Sequence, residues 1–123
     1  MLPLTVPPRS RQQTPSVLTA VAGEDVILPC DVIGDPSPVV RWRKNHAVID
    51  LFSSRHKYFV DDTGSLVIPA ADSGDSARYL CVAENVAGVL TQEIRLTVYG
   101  QKQMYCVFMF ASMLKLRRED YHI

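Results

Sequence analysis

The sequence predicts an all-β fold, an antiparallel two-sheet sandwich, and three short runs carry that prediction. Val26-Ile27-Leu28-Pro29-Cys30-Asp31-Val32 alternates with its even positions apolar, so the Cys30 sulfur points to the same side as Val26 and Leu28. In Val40-Arg41-Trp42-Arg43 charges alternate with large apolar groups, which turns the indole inward and both guanidinium groups to water. In Arg78-Tyr79-Leu80-Cys81-Val82-Ala83, the side chains of Tyr79, Cys81 and Ala83 share one face. Two inward cysteines on separate strands, with an inward tryptophan between them in the chain, fit the interior of such a sandwich.

The order Cys30, Trp42 and then Asp75-Ser76-Ala77-Arg78-Tyr79-Leu80-Cys81 resembles an immunoglobulin domain of the intermediate, or I-set, type. The stretches Gly64-Ser65-Leu66-Val67-Ile68 and Asn85-Val86-Ala87-Gly88 are similar to repeats of hemicentin-like extracellular matrix and adhesion proteins. The resemblance implies an immunoglobulin-like Greek-key sandwich over residues 15–99, with Trp42, Tyr79 and Asp75 as its core signature. It also implies a disulfide between Cys30 and Cys81, contributing roughly 4 kcal/mol by loop-closure entropy. Asp75 is expected to pair with a basic residue, Arg55 or Lys57. Ala77 departs from the family pattern, which has glycine there; if that position needs only a small side chain, the fold is unharmed.

Taken in order, Leu4-Thr5-Val6 echoes Leu96-Thr97-Val98, and Pro7-Pro8 follows, so residues 1–14 read as a linker carrying the stub of a preceding repeat's last strand. Val17-Leu18-Thr19-Ala20-Val21 reads as the first strand, and Gly23-Glu24-Asp25 turns the chain into the Cys30 strand. Asp35-Pro36-Ser37-Pro38 cannot continue a ladder and delivers the chain to the Trp42 strand. Asn45-His46 marks a turn into the short edge piece Ala47-Val48-Ile49. A strand follows around Tyr58-Phe59-Val60, then a turn at Asp61-Asp62-Thr63-Gly64 and a strand with Leu66 and Ile68 inward. Asn85 and Gly88 suit a hairpin turn that uses positive φ. From Leu90 to Tyr99 the last strand places Leu90, Ile94, Leu96 and Val98 inward.

Thirteen basic and thirteen acidic side chains cancel, so no global field draws the chain to nucleic acid or to an anionic membrane. A chain of about 90 folded residues buries only about 60–65% of its extended surface, and such a core gains from a staple. Cys106 is the third cysteine, left over as a free thiol or an intermolecular link. Residues 100–123 form an atypical tail, apolar from Met104 to Leu114 and then basic through Lys115, Arg117 and Arg118. As a helix that apolar run reaches about 16 Å, against roughly 30 Å of hydrocarbon, so it is too short to span. A truncated membrane anchor, a splice-derived end and a helix packed on the sandwich are the alternatives. No secretory signal is visible at Met1 to Val6, so the sequence is either one link of a longer secreted chain or stays inside the cell.

Asp62-Thr63-Gly64-Ser65 matches the Asp-Thr-Gly-Ser of aspartic proteases, whose chemistry needs a pair of aspartates sharing one proton. The same residues fall where the sandwich needs a tight turn. His46, His56 and His122 lack metal-ligand spacing, no cofactor motif occurs and no asparagine is a glycosylation acceptor. Two features suit binding. Arg41 and Arg43 face outward, and Leu80 and Val82 turn to the same side from the neighbouring strand, giving an apolar strip with a basic border. The basic cluster Arg55-His56-Lys57, adjoined by Lys44, suits acidic polysaccharide. The reading is a non-enzymatic, protein-binding module of an extracellular matrix or cell-adhesion array, with other proteins or neighbouring immunoglobulin domains as partners. An intracellular muscle-type module with packed thiols is the first alternative, and an aspartic protease subunit using Asp62 the second.

Overall fold

Period-two alternation becomes strands throughout residues 4–51 and 57–100, which the computed structural model describes. The strands are β1 (Val6–Ser10), β2 (Val17–Val21), β3 (Val26–Leu28), β4 (Val32–Asp35), β5 (Val39–Lys44), β6 (Ala47–Val48), β7 (Phe59–Val60), β8 (Leu66–Ile68), β9 (Ala77–Asn85) and β10 (Gly88–Tyr99). One sheet has the order β2-β10-β9-β5-β6, a second has β3-β8-β7, and β1 pairs with β4. Pairing is antiparallel except between β2 and β10, which run parallel.

The two sheets enclose the predicted interior. Leu28, Cys30, Leu66 and Ile68 face Trp42, Tyr79, Cys81, Ile94 and Leu96, all buried. Cys30 and Cys81 are bonded across the layers, 51 residues apart in the chain with Cα atoms 6.4 Å apart. Trp42 lies opposite Cys81 in the β5–β9 register, which puts the indole beside the disulfide. Its Nε1–H donates to the Gly64 carbonyl at 2.9 Å, so the largest buried side chain leaves no donor unpaired. Ala77 is half-buried against this core, as a small residue can be.

The N-terminus departs from expectation. Part of the expected 1–14 linker, Val6–Ser10, is a strand bonded to β4, and the Arg11 N–H continues the contact to the Asp31 carbonyl at 2.9 Å. Proline is tolerated there because β1 is an edge strand whose register breaks between Val6 and Arg9, where Pro7 and Pro8 have no N–H to give. The run Val17–Val21, expected first, is therefore the second strand.

The connection at Asn45-His46 is a two-residue turn with φ of 49° and 72°, positive at both positions as a tight hairpin of this hand requires. Among the described residues no helix is long and apolar enough to cross a membrane. The apolar run from Met104 to Leu114, Cys106, Arg117, Arg118 and His122 lie outside the described residues, as do Arg55 and His56.

Candidate protein-binding face

Antiparallel pairing puts directly opposed residues on one side of a sheet, so register alone defines the outer face of the larger one. Across β5, β9 and β10 that face has three rungs: Val39, Glu84 and Val89; Arg41, Val82 and Thr91; Arg43, Leu80 and Glu93. The predicted strip is brought together: Arg41 and Arg43 are exposed, and Leu80 and Val82 are half-buried between their neighbours. Val39 and Val89 flank its upper end, 60% and 59% exposed, and a depression of about 350 Å³ opens among Val39, Arg41, Val82, Glu84 and Val86. At the lower end Arg78 Nε stands 3.8 Å from Glu93 Oε1, both side chains more than half exposed.

Sequence reasoning missed Val39, Glu84, Val89, Thr91 and Glu93 as members of this face. The signal was present: once Val86-Ala87 is placed at the hairpin tip, counting outward pairs Leu80 with Glu93 and Glu84 with Val89.

A buried carboxylate fixes the side of the sandwich below this face. Asp75 closes a 3-10 turn, Ser73–Asp75, and is 3% exposed. Its Oδ2 accepts from Lys57 Nζ at 2.6 Å and the Asp72 N–H at 2.8 Å, and its Oδ1 accepts from the Tyr58 hydroxyl at 2.7 Å. Tyr79 donates its hydroxyl to the Asp75 carbonyl at 2.6 Å, closing the corner between the turn and β9. Burial raises the pKa of that hydroxyl, with the Tyr58 hydroxyl adding to the rise, and Tyr79 stays a donor.

Of the two partners expected for Asp75, Lys57 takes the role. Lys57 also donates to the Ala70 carbonyl at 3.1 Å, and Lys44 is held by Tyr58 and the Gly74 carbonyl, so both described ammonium groups of the expected basic cluster are engaged within the domain.

Burial alone would raise the Asp75 pKa; the Lys57 ammonium, the Asp72 N–H and the Tyr58 hydroxyl outweigh it and hold the carboxyl below the usual carboxylate range. The hydrogen bond to Asp75 raises Lys57 in turn. A depressed carboxylate contributes stability above its unfolded pKa of about 3.9 and loses it as pH falls through the folded value. The raised lysine contributes below about 10.4 and loses its share as pH climbs through its folded value. Asp75→Asn should therefore flatten the acid limb of stability between about pH 2 and 5, read from urea midpoints across that range. An unchanged acid limb would mean the pair carries no linkage.

At the opposite end Asn85 joins three segments. Its Nδ2 donates to the carbonyls of Val6 at 2.7 Å and Pro36 at 2.9 Å, and its Oδ1 accepts from the Ala87 and Gly88 N–H groups at 2.9 and 3.1 Å. The hairpin thus forms as expected but for a different reason. Neither Asn85 nor Gly88 has positive φ; the side-chain amide holds the turn, and Gly88 lets Pro7 approach to 3.3 Å from where a Cβ would stand. Asn85→Ala should cost about 1–3 kcal/mol in urea unfolding and speed amide exchange at Arg11 and Ala87 together. Faster exchange at Ala87 alone would mean that Asn85 holds only its own turn.

Asp62 is exposed in the turn after β7, and it is Asp61 that organises that turn. Asp61 Oδ1 accepts from the Thr63 hydroxyl at 2.6 Å and from the N–H groups of Thr63 and Ser65 at 2.9 and 3.0 Å. The Thr63 hydroxyl is the main cause of its lowered pKa. Gly64 supplies the φ of 87° that closes the loop. The Asp-Thr-Gly-Ser match is thus built as a turn. Among the described residues no group of three or more His, Cys, Asp or Glu side chains is placed to hold a metal.

A disulfide-pinned sandwich with a tryptophan against the pin and a tyrosine corner is an immunoglobulin-like domain, a class of binding module. The family model for the Immunoglobulin I-set domain matches residues 9–98, and the chain belongs to that family. Human Hemicentin-1 is 41% identical over 88 residues, which is 72% of this chain and 2% of that protein. Human Neural cell adhesion molecule 1 is 36% identical over 104 residues, 82% of this chain and 12% of that one. The N-terminal Ig1-2 module of the Drosophila receptor protein tyrosine phosphatase DLAR superposes with a TM-score of 0.65 at 33% identity, over 74% of this chain and 45% of its own. The chain thus spans a small part of the curated relatives it matches.

Proposed function

We propose that this chain is a non-catalytic link in an extracellular or cell-surface array of immunoglobulin domains, binding protein through the outer face of β5 and β9. The observation that carries the reading is the pair of rungs Arg41–Val82 and Arg43–Leu80, which sets an apolar strip beside two exposed guanidinium groups. Central apolar contacts with arginine at the border are what a protein interface enriches. The sandwich contributes rigidity: a pinned core keeps the strip in place before any partner arrives. The Cys30–Cys81 bond supports an oxidising compartment, since the cytosol keeps thiols reduced. Likeness to a matrix protein and to an adhesion molecule supports the same placement.

The test is charge reversal. The chain and its Arg41→Glu/Arg43→Glu variant, shown equally folded by circular dichroism, are immobilised and exposed to matrix laid down by the cells that make it. The reading expects at least one protein retained by the first and lost about tenfold or more from the second. An identical set on both would remove this face from consideration.

A further inference from the structure

We propose that the apolar run from Met104 to Leu114, which lies outside the described residues, docks as a short helix on the outer face of the second sheet, β3-β8-β7. Register puts Ile27, Val67 and Phe59 side by side on that face. Ile27 is 56% and Phe59 50% exposed, Val67 is half-buried, and together they make an apolar bar across all three strands. Single exposed apolar residues are ordinary on a surface, but three large ones in one rung form a patch. The run begins within reach of it. The Tyr99 carbonyl accepts from the Ala22 N–H at 2.7 Å, and the Glu24 N–H closes the turn onto the Val21 carbonyl at 3.1 Å. The chain therefore leaves β10 beside the turn that opens β3, at the foot of the second sheet. Residues 101–103 reach about 10 Å at full extension, which brings Met104 to that foot.

Length selects the conformation. From Asp25 to the level of Asp61, whose N–H bonds the Ser65 carbonyl at 3.0 Å, the face rises four residues, about 13 Å. Met104 to Leu114 covers about 16 Å as a helix and about 36 Å as a strand. Charge runs in the same order along both partners. The face is acidic at its foot (Glu24, Asp25), apolar at the bar, acidic again at Asp31, Asp61 and Asp62, and basic at Arg11 and Arg9 on its far edge. The tail reads Lys102, the apolar run, Lys115 with Arg117 and Arg118, then Glu119 and Asp120. Arg11 stands 3.8 Å from Asp31, which leaves Asp61 and Asp62 to meet the arginines. Lys57, the cation at the foot, is committed to Asp75 and the Ala70 carbonyl. Helical spacing puts Val107, Phe110 and Leu114 on one side, Arg117 and Arg118 continue that side one turn on, and Tyr105 and Ser112 fall opposite. The docked tail covers the second sheet and leaves the outer face of β5 and β9 open.

The experiment is paramagnetic relaxation on the full 123-residue chain carrying Cys106→Ser and Ser112→Cys. A nitroxide then sits on the outer side of the helix, and the remaining cysteines are bonded to each other. Its effect on amide signals falls steeply with distance, and the far sheet lies about 10 Å farther off. Expected is relaxation about tenfold or more stronger at Ile27, Phe59 and Val67 than at Val39, Val82 and Val89. Phe110→Ser, or Arg117→Glu with Arg118→Glu, should remove that contrast, and these changes lie outside the sandwich, so loss of folding does not imitate them. Uniform relaxation in the parent, a maximum at Val39, Val82 and Val89, or a contrast that survives both variants would overturn the docking. Relaxation passed to an unlabelled, isotope-marked copy in a mixture would overturn it too, making the tail a link between copies.

Discussion

Replacing Cys30 and Cys81 together with alanine lowers the stability of the sandwich by about 4 kcal/mol and steepens its urea dependence. The first effect follows from the 51-residue separation of the bonded sulfurs, since freeing a loop of that length returns about 4 kcal/mol of chain entropy to the unfolded state. A domain of this size has about 5–15 kcal/mol in all, so the variant retains about 1–11 kcal/mol and stays mostly folded, with a much smaller margin. The second effect has the same origin. An unfolded chain without the cross-link is more expanded and exposes more surface, so the slope of stability against urea rises. Trp42, the only tryptophan, is buried at the pin and reports both quantities by its fluorescence. A lower midpoint with an unchanged slope would mean that the bond acts through native packing alone.

Trp42→Ala should cost about 3–5 kcal/mol, the range for emptying a buried aromatic site. Trp42 is 2% exposed, lies against Cys81 across the β5–β9 ladder and is hydrogen-bonded to the Gly64 carbonyl. In a domain near 90 residues each kcal/mol moves the melting temperature by about 4–8 °C, so a fall of roughly 12 °C or more is expected by far-UV circular dichroism. Trp42→Phe separates the two contributions. It keeps most of the ring volume and forfeits the Nε1–H bond, for a smaller loss of about 1–2 kcal/mol. Equal losses in both variants would assign the role of Trp42 to its hydrogen bond. Because Trp42 is the register partner of Cys81 and shares one core cluster with both cysteines, the alanine changes at residues 30, 42 and 81 should not add, and a double-mutant cycle would read the coupling.

The inward faces were legible because a strand obeys a period of two, and Val26, Leu28, Cys30, Trp42, Leu66, Ile68, Tyr79 and Cys81 all obey it. So was the strip of Arg41, Arg43, Leu80 and Val82, for the same reason on the other side. What the sequence hid was tertiary. Pro7-Pro8 reads as a linker by local chemistry, and only its place at an irregular edge makes it strand. Asn85 reads as a turn former, but its amide also reaches two carbonyls, of Val6 and Pro36, 79 and 49 residues away. Asp75 was expected to find a cation; that it would also hold the Tyr58 hydroxyl depends on how β7 and the 3-10 turn meet. The contribution of β10 to the outer face lay within reach, since it needed only the hairpin register to be counted outward from its tip.

The staple, the buried indole and the extracellular reading all rest on one bond, and it can be measured directly. Protein recovered from its native compartment, with free thiols alkylated before digestion, should yield a peptide linking Cys30 to Cys81 that separates only on reduction. Alkylated Cys30 and Cys81, each in its own unlinked peptide, would contradict the account and favour a module kept in a reducing cytosol.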